Sequence, residues 1–136
     1  MDAPARTLAV TRAAMRFCVL RGWAPVEQVP LPDGRRADIL ALLPSGDFAI
    51  LEVKSCARDF LSDAKWQEYR ARCDRLYFAV DLDFPQALLP DDVGLLAAED
   101  REAALLREAP EHRLAAARRR ALLHRVALLA SGRLAM

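Results

Sequence analysis

The sequence predicts an α/β fold in which helices flank a mixed sheet, with core elements in the order αβββαβ. Three observations carry this expectation. Two apolar runs, Ile39 to Leu43 and Phe48 to Val53, are separated by Pro44, Ser45 and Gly46, the punctuation of a tight β-hairpin. A helical stretch and a further apolar run, Leu76 to Val80, follow that hairpin. A strand, helix and strand in succession call for a right-handed crossover, which lays the new strand parallel to the old one. Helical spacing also marks Thr7 to Arg21 at the front of the chain and about Arg113 to Ser131 at the back.

The bulk properties fit one globular domain covering residues 1–136. The chain has 136 residues, enough for a full core, and 54% of them are hydrophobic. A net charge of +1 does not mark a nucleic-acid binder, so any DNA surface must come from local segregation of charge. Three cysteines, Cys18, Cys56 and Cys73, form an odd set with no CxxC and no nearby histidine. Structural disulfides and zinc are thereby disfavoured and a reducing, cytoplasmic setting is expected. No signal peptide and no apolar run of membrane-spanning length is expected. Heavy use of Ala, Arg and Leu fits a GC-rich bacterial genome.

In chain order, the first helix places Leu8, Thr11, Met15, Cys18 and Val19 on one stripe, and Gly22 ends it. Its Arg6, Arg12 and Arg16 form either a solvated face or a set of phosphate contacts. A strand over Val26 to Leu31 lies between Pro25 and the turn Pro32-Asp33-Gly34. Glu27 on it reads as an edge gatekeeper or as a further acidic group near a metal. After the central hairpin, a helix from about Asp59 to Arg72 is expected, with Asp59 as its N-cap and Trp66 and Tyr69 in the core. The strand Arg75 to Asp81 follows, with Asp81 and Asp83 as turn residues before Pro85. Val93 to Ala98 reads as another strand. Over Glu99 to Glu108 local propensity favours helix, but a returning hairpin through Ala104 to Glu108 is expected from the resemblance given below. In the last helix Leu114, Ala121, Leu122, Leu128 and Leu129 are available for packing, and His124 stands alone without a partner.

Three charges interrupt the central hairpin: Asp38, Glu52 and Lys54. Alternation places Glu52 and Lys54 on one side of their strand. If Pro44, Ser45 and Gly46 form a three-residue loop with Gly46 left-handed, Leu43 pairs with Asp47 and Asp38 falls opposite Glu52. A shift of one residue would turn Asp38 to the other face. Two carboxylates directly across strands repel, and a divalent cation with a preference for oxygen, such as Mg²⁺, removes that penalty. The alternative is a solvated Glu52–Lys54 ion pair worth little. Against it, Phe48-Ala49-Ile50-Leu51 reads as a strand buried on both faces, where an unpaired charge is costly.

The spacing of Asp38 and Glu52-Val53-Lys54 is similar to the D…(D/E)xK signature of the PD-(D/E)XK nuclease superfamily. A longer set is more specific: Arg36-Ala37-Asp38-Ile39, Glu52-Val53-Lys54-Ser55, Asp59-Phe60, Asp63, Lys65-Trp66, Tyr69, and Cys73-Asp74-Arg75-Leu76-Tyr77-Phe78-Ala79-Val80. Together these resemble the MmcB-type bacterial DNA repair proteins, a branch of that superfamily, over nearly the whole chain. Ala37 stands where the superfamily has a proline. No Glu lies on the first helix as an extra metal ligand, so one-metal chemistry is expected.

The resemblance implies a restriction-endonuclease-like αβββαβ core with a C-terminal β-hairpin and helix. It implies hydrolysis of DNA phosphodiesters with Mg²⁺ or Mn²⁺ held by Asp38, Glu52 and the Val53 carbonyl, and Lys54 assisting the attacking water. Ser55, Lys65, Gln67 and Tyr69 are the supporting or substrate-contacting candidates. Arg36, with the Arg118-Arg119-Arg120 run of the last helix, supplies candidate DNA contacts. The expected partners are DNA, other DNA repair or polymerase proteins, and a second copy in a homodimer, in a nucleoid-associated setting without a membrane. The competing reading is a catalytically silent DNA-binding or adaptor module of the same fold, and a hydrolase acting on another substrate is a third.

Overall fold

The structure is a computed structural model that describes residues 2–136. Its centre is a six-stranded mixed sheet in the order β1-β2-β3-β4-β5-β6, with β1 Ala24–Pro30, β2 Arg36–Leu42, β3 Phe48–Val53, β4 Arg75–Asp81, β5 Gly94–Glu99 and β6 Glu102–Arg107. The first three strands are antiparallel neighbours, β3, β4 and β5 are parallel, and β6 returns antiparallel to β5. The αβββαβ order and the second hairpin are therefore present as expected. At that hairpin, Asp100 takes φ +55°, and the packing of β6 against the first helix overrides helix propensity.

That first helix, α1 (Ala3–Leu20), covers one face. Its buried residues are Val10, Ala13, Ala14, Phe17 and Cys18, packed on Ile39, Ala41, Ala49, Leu51, Tyr77 and Ala79. The expected stripe was turned: of its members only Cys18 is buried, while Leu8 and Val19 are exposed. The sheet beneath is alanine-rich, so close approach by Ala13 and Ala14 decides which side faces in. Gly22, at φ +76°, ends the helix as predicted.

On the other face lie Leu40, Ile50, Leu76 and Phe78, covered by Phe60, Trp66, Tyr69, Leu114 and Leu122. The long helix expected over 59–72 is broken. A short α2 (Ala57–Ser62) and a 3-10 helix (Trp66–Arg72) replace it. Phe60 and Trp66 both pack on Phe78, with ring centroids 5.5 and 5.4 Å away. In one continuous helix, residues six apart point about 120° away from each other, so both aromatic rings reach Phe78 only if the helix breaks. Asp59 is not the N-cap; Cys56 holds that position, and Asp59 in the first turn accepts from the Ser55 amide at 3.3 Å.

The C-terminal helix α3 (Ala116–Leu134) buries Leu122 and packs Val126 and Leu129, whereas Ala121, His124 and Leu128 are exposed. Among the described residues no helix is long and apolar enough to cross a membrane.

Candidate active site

The β2–β3 turn sets the register of everything that follows. Gly46 is left-handed at φ +91°, and the Leu43 amide donates to the Asp47 carbonyl at 2.9 Å. Ile39 pairs with Leu51, so the next position along brings Asp38 across from Glu52. At that point the carboxylates bond the neighbouring backbone. Asp38 Oδ2 accepts from the Val53 amide at 2.8 Å, and Glu52 Oε1 accepts from the Asp38 amide at 3.1 Å. The second oxygen of each carboxylate has no protein hydrogen bond among the described residues.

Glu52 follows Phe48 and Ile50 along one side of β3, and Lys54 follows Glu52. Both are nearly enclosed, Glu52 at 4% and Lys54 at 6% exposure. Burial first, and the facing Asp38 second, push the Glu52 carboxyl well above its usual range, with Lys54 pulling the other way. The Lys54 ammonium lies 2.8 Å from Asp63 Oδ2. Asp63 sits at the break after α2, and its Oδ1 accepts from the Lys65 amide at 3.2 Å.

These groups open into a cleft of about 860 Å³, lined among others by Arg36, Ser55, Arg58, Asp59, Asp63 and Tyr69, with Thr7, Leu8 and Thr11 of α1 on one wall. Tyr69 is buried. Its hydroxyl donates to the Arg36 carbonyl at 3.1 Å, and the Arg35 guanidinium lies 5.6 Å from its ring centroid. Burial, with Glu52 and Asp38 nearby, pushes the Tyr69 phenol up to about 12.

Asp38, Glu52, Val53, Lys54, Ser55, Tyr69 and Arg36 are thus gathered in one place. Lys65 and Gln67 are not: both are exposed and outside the cleft, because the helix break turns them away. The arginine run is also elsewhere. Arg119 bonds Gly46 and Asp74 near the head of β3, roughly 13 Å along the strand from Glu52. Arg118 donates to the Ala71 carbonyl, and Arg120 is exposed away from the cleft. Arg6 pairs with Asp81 and Asp83, which keeps those two acids at their turn.

Reasoning from sequence missed three residues. Asp63 stood in the family motif without a role, and Arg58 carried no pattern. Gln28 falls between the Glu27–Ile39 and Val29–Ala37 partners, across from Asp38, with φ +51°. That conformation is strained for a residue with a side chain. It resets the alternation of β1, so that Val26 and Val29 pack on the same layer and Glu27 and Gln28 both line the cleft. No composition rule marks it.

Among the described residues no three His, Cys, Asp or Glu side chains gather as a metal cage. Two carboxylates with free oxygens fit a cation of the Mg²⁺ type, which usually takes one or two protein carboxylates and completes its shell with water and phosphate.

Comparison with known proteins places the chain. No curated protein matches it. Among solved structures, a protein of unknown function from Silicibacter pomeroyi is 41% identical, with a TM-score of 0.90 over 95% of this chain and 88% of that one. The family model described as "DNA repair protein MmcB-like" matches residues 2–136. Since that match spans essentially every residue whose geometry is given above, the chain belongs to the MmcB-like family of DNA repair proteins.

Proposed function

We propose that this repair protein is a Mg²⁺- or Mn²⁺-dependent endonuclease of the PD-(D/E)XK type that hydrolyses DNA phosphodiesters. The observation that carries the reading is Asp38 facing Glu52 across β2 and β3, with Lys54 next on the same side of β3. Asp38 and Glu52 would hold the cation, with the Val53 carbonyl as a third donor. Such a cation supplies Lewis-acid polarisation of a phosphate oxygen and lowers the pKa of water. Lys54, a nearly enclosed point charge, orients the attacking water and stabilises charge building on the phosphate. Tyr69 and Ser55 close the wall around these groups.

Arg36 and Arg58 at the rim take backbone phosphates. Arg12 and Arg16 lie one and two helical turns beyond Leu8 on α1, outside the residues that line the cleft. All four are exposed, and none forms an ion pair among the described residues.

The experiment is nicking of supercoiled plasmid with Mn²⁺. Wild type cuts, and Asp38→Ala, Glu52→Ala and Lys54→Ala do not; undiminished cutting by Asp38→Ala overturns the reading. One alternative is a DNA-binding adaptor that keeps the fold without chemistry; a net charge of +1 and the small size of the chain fit it. Calorimetric titration of Mn²⁺ separates the two. Heat in wild type but not in Asp38→Ala supports the nuclease, whereas no heat in wild type together with salt-sensitive DNA binding selects the adaptor.

A further inference from the structure

We infer that Asp63, at the break between α2 and the 3-10 helix, is a positioning residue for Lys54; this rests on the nuclease reading above. Every cationic side chain of the lysine and arginine type is arginine except Lys54 and Lys65. Lysine at position 54 therefore stands out against the rest of the chain. An arginine there would present a planar fork, whereas an ammonium offers a compact charge on a flexible stem. Flexibility is a liability for a group that must meet a water or a phosphate, because misplacement by about 1 Å costs about 100-fold in rate.

Asp63 removes that freedom. Its Oδ2 lies 2.8 Å from Lys54 Nζ, and its Oδ1 is tied to the Lys65 amide at 3.2 Å. The carboxylate is thus fixed to the backbone of the interruption at one oxygen and to the ammonium at the other. Asp63 caps the end of α2 with φ −88° and ψ 85°, outside helical geometry.

The test compares wild type, Asp63→Asn and Asp63→Glu by three readouts. The first is acylation of lysine amines read by mass spectrometry, with exposed Lys65 as the internal reference. The second is the kcat and KM of Mn²⁺-supported nicking. The third is Mn²⁺ affinity, with melting as a check on folding. In Asp63→Asn, acylation of Lys54 relative to Lys65 is expected to rise, kcat to fall about 100-fold with KM unchanged, and Mn²⁺ affinity to stay at the wild-type value. Asp63→Glu restores part of both effects. Lys54 acylation no faster in Asp63→Asn than in wild type overturns the inference, as does an unchanged kcat. If wild type does not cut, the nuclease reading falls by itself, and the acylation ratio still decides whether Asp63 holds Lys54.

Discussion

At Glu52 the fold keeps a carboxyl where ionisation is costly, nearly enclosed and facing Asp38. Its folded-state pKa lies above the value of about 4.3 expected in an unfolded chain. The carboxyl's contribution to stability is therefore complete below that pH and is lost as pH rises through the folded value. Glutamine keeps the acceptor oxygen for the Asp38 amide and removes the charge. In a chelating buffer at pH 8, Glu52→Gln is expected to be more stable than wild type by about 1 kcal/mol. The difference should shrink toward zero near pH 4, while nicking is lost at every pH. Circular-dichroism melts across pH measure this, and equal melting at pH 8 would show that the acidic pair stores no penalty for a cation to relieve. A stability gain on loss of function is the mark of a functional charge cluster, and a structural ion pair would give the opposite sign.

At the scale of elements, the arginine run of α3 divides into one structural residue and two surface ones. Asp74 is fully buried. It accepts from the Phe48 amide at 2.7 Å, the Leu114 amide at 2.8 Å and both terminal nitrogens of Arg119 at 2.8 and 2.7 Å. Burial alone would raise its pKa, but Arg119 and the two amides outweigh it and hold the carboxyl below its usual range. Arg119→Ala leaves that charge unpaired and is expected to cost about 3 kcal/mol. Arg118→Ala and Arg120→Ala should stay within about 0.5 kcal/mol; urea unfolding of the three variants checks this. The sequence presented these arginines as equals, because a charge run does not say which member meets a buried acid from another element. What the sequence did carry was local. Pro44-Ser45-Gly46 fixed the turn, the turn fixed the register, and the register brought Asp38 to Glu52. The helix break was illegible for the opposite reason: Trp66, Gln67 and Tyr69 have helix-compatible neighbours, and only the distant Phe78 requires Phe60 and Trp66 on one side. Gln28 was illegible too, since its left-handed backbone depends on strand partners and not on residue type.

For the whole molecule, a net charge of +1 means that DNA must be met by the distribution of charge and not by its total. The cleft floor is acidic through Asp38, Glu52, Asp59 and Asp63, and its rim carries Arg36 and Arg58. A polyanion approaching such a surface is repelled by the floor until a cation neutralises part of it, and is held meanwhile by the rim. DNA affinity in this protein should thus depend on divalent cation and, separately, on monovalent salt. Each phosphate contact removed lowers the slope of log K against log salt by about 1. The double variant Arg36→Ala/Arg58→Ala is expected to lower it by about 2, with the fold intact because both side chains are free of ion pairs among the described residues. Arg118→Ala/Arg120→Ala should leave the slope unchanged, since neither side chain lines the cleft. Fluorescence anisotropy of a labelled duplex at several salt concentrations, with catalysis blocked by Asp38→Ala, measures both variants. The reverse result, a slope reduced by the α3 pair and untouched by the rim pair, would route the DNA across α3 and away from the acidic pair, and a phosphodiester could not then reach Asp38 and Glu52 along the cleft.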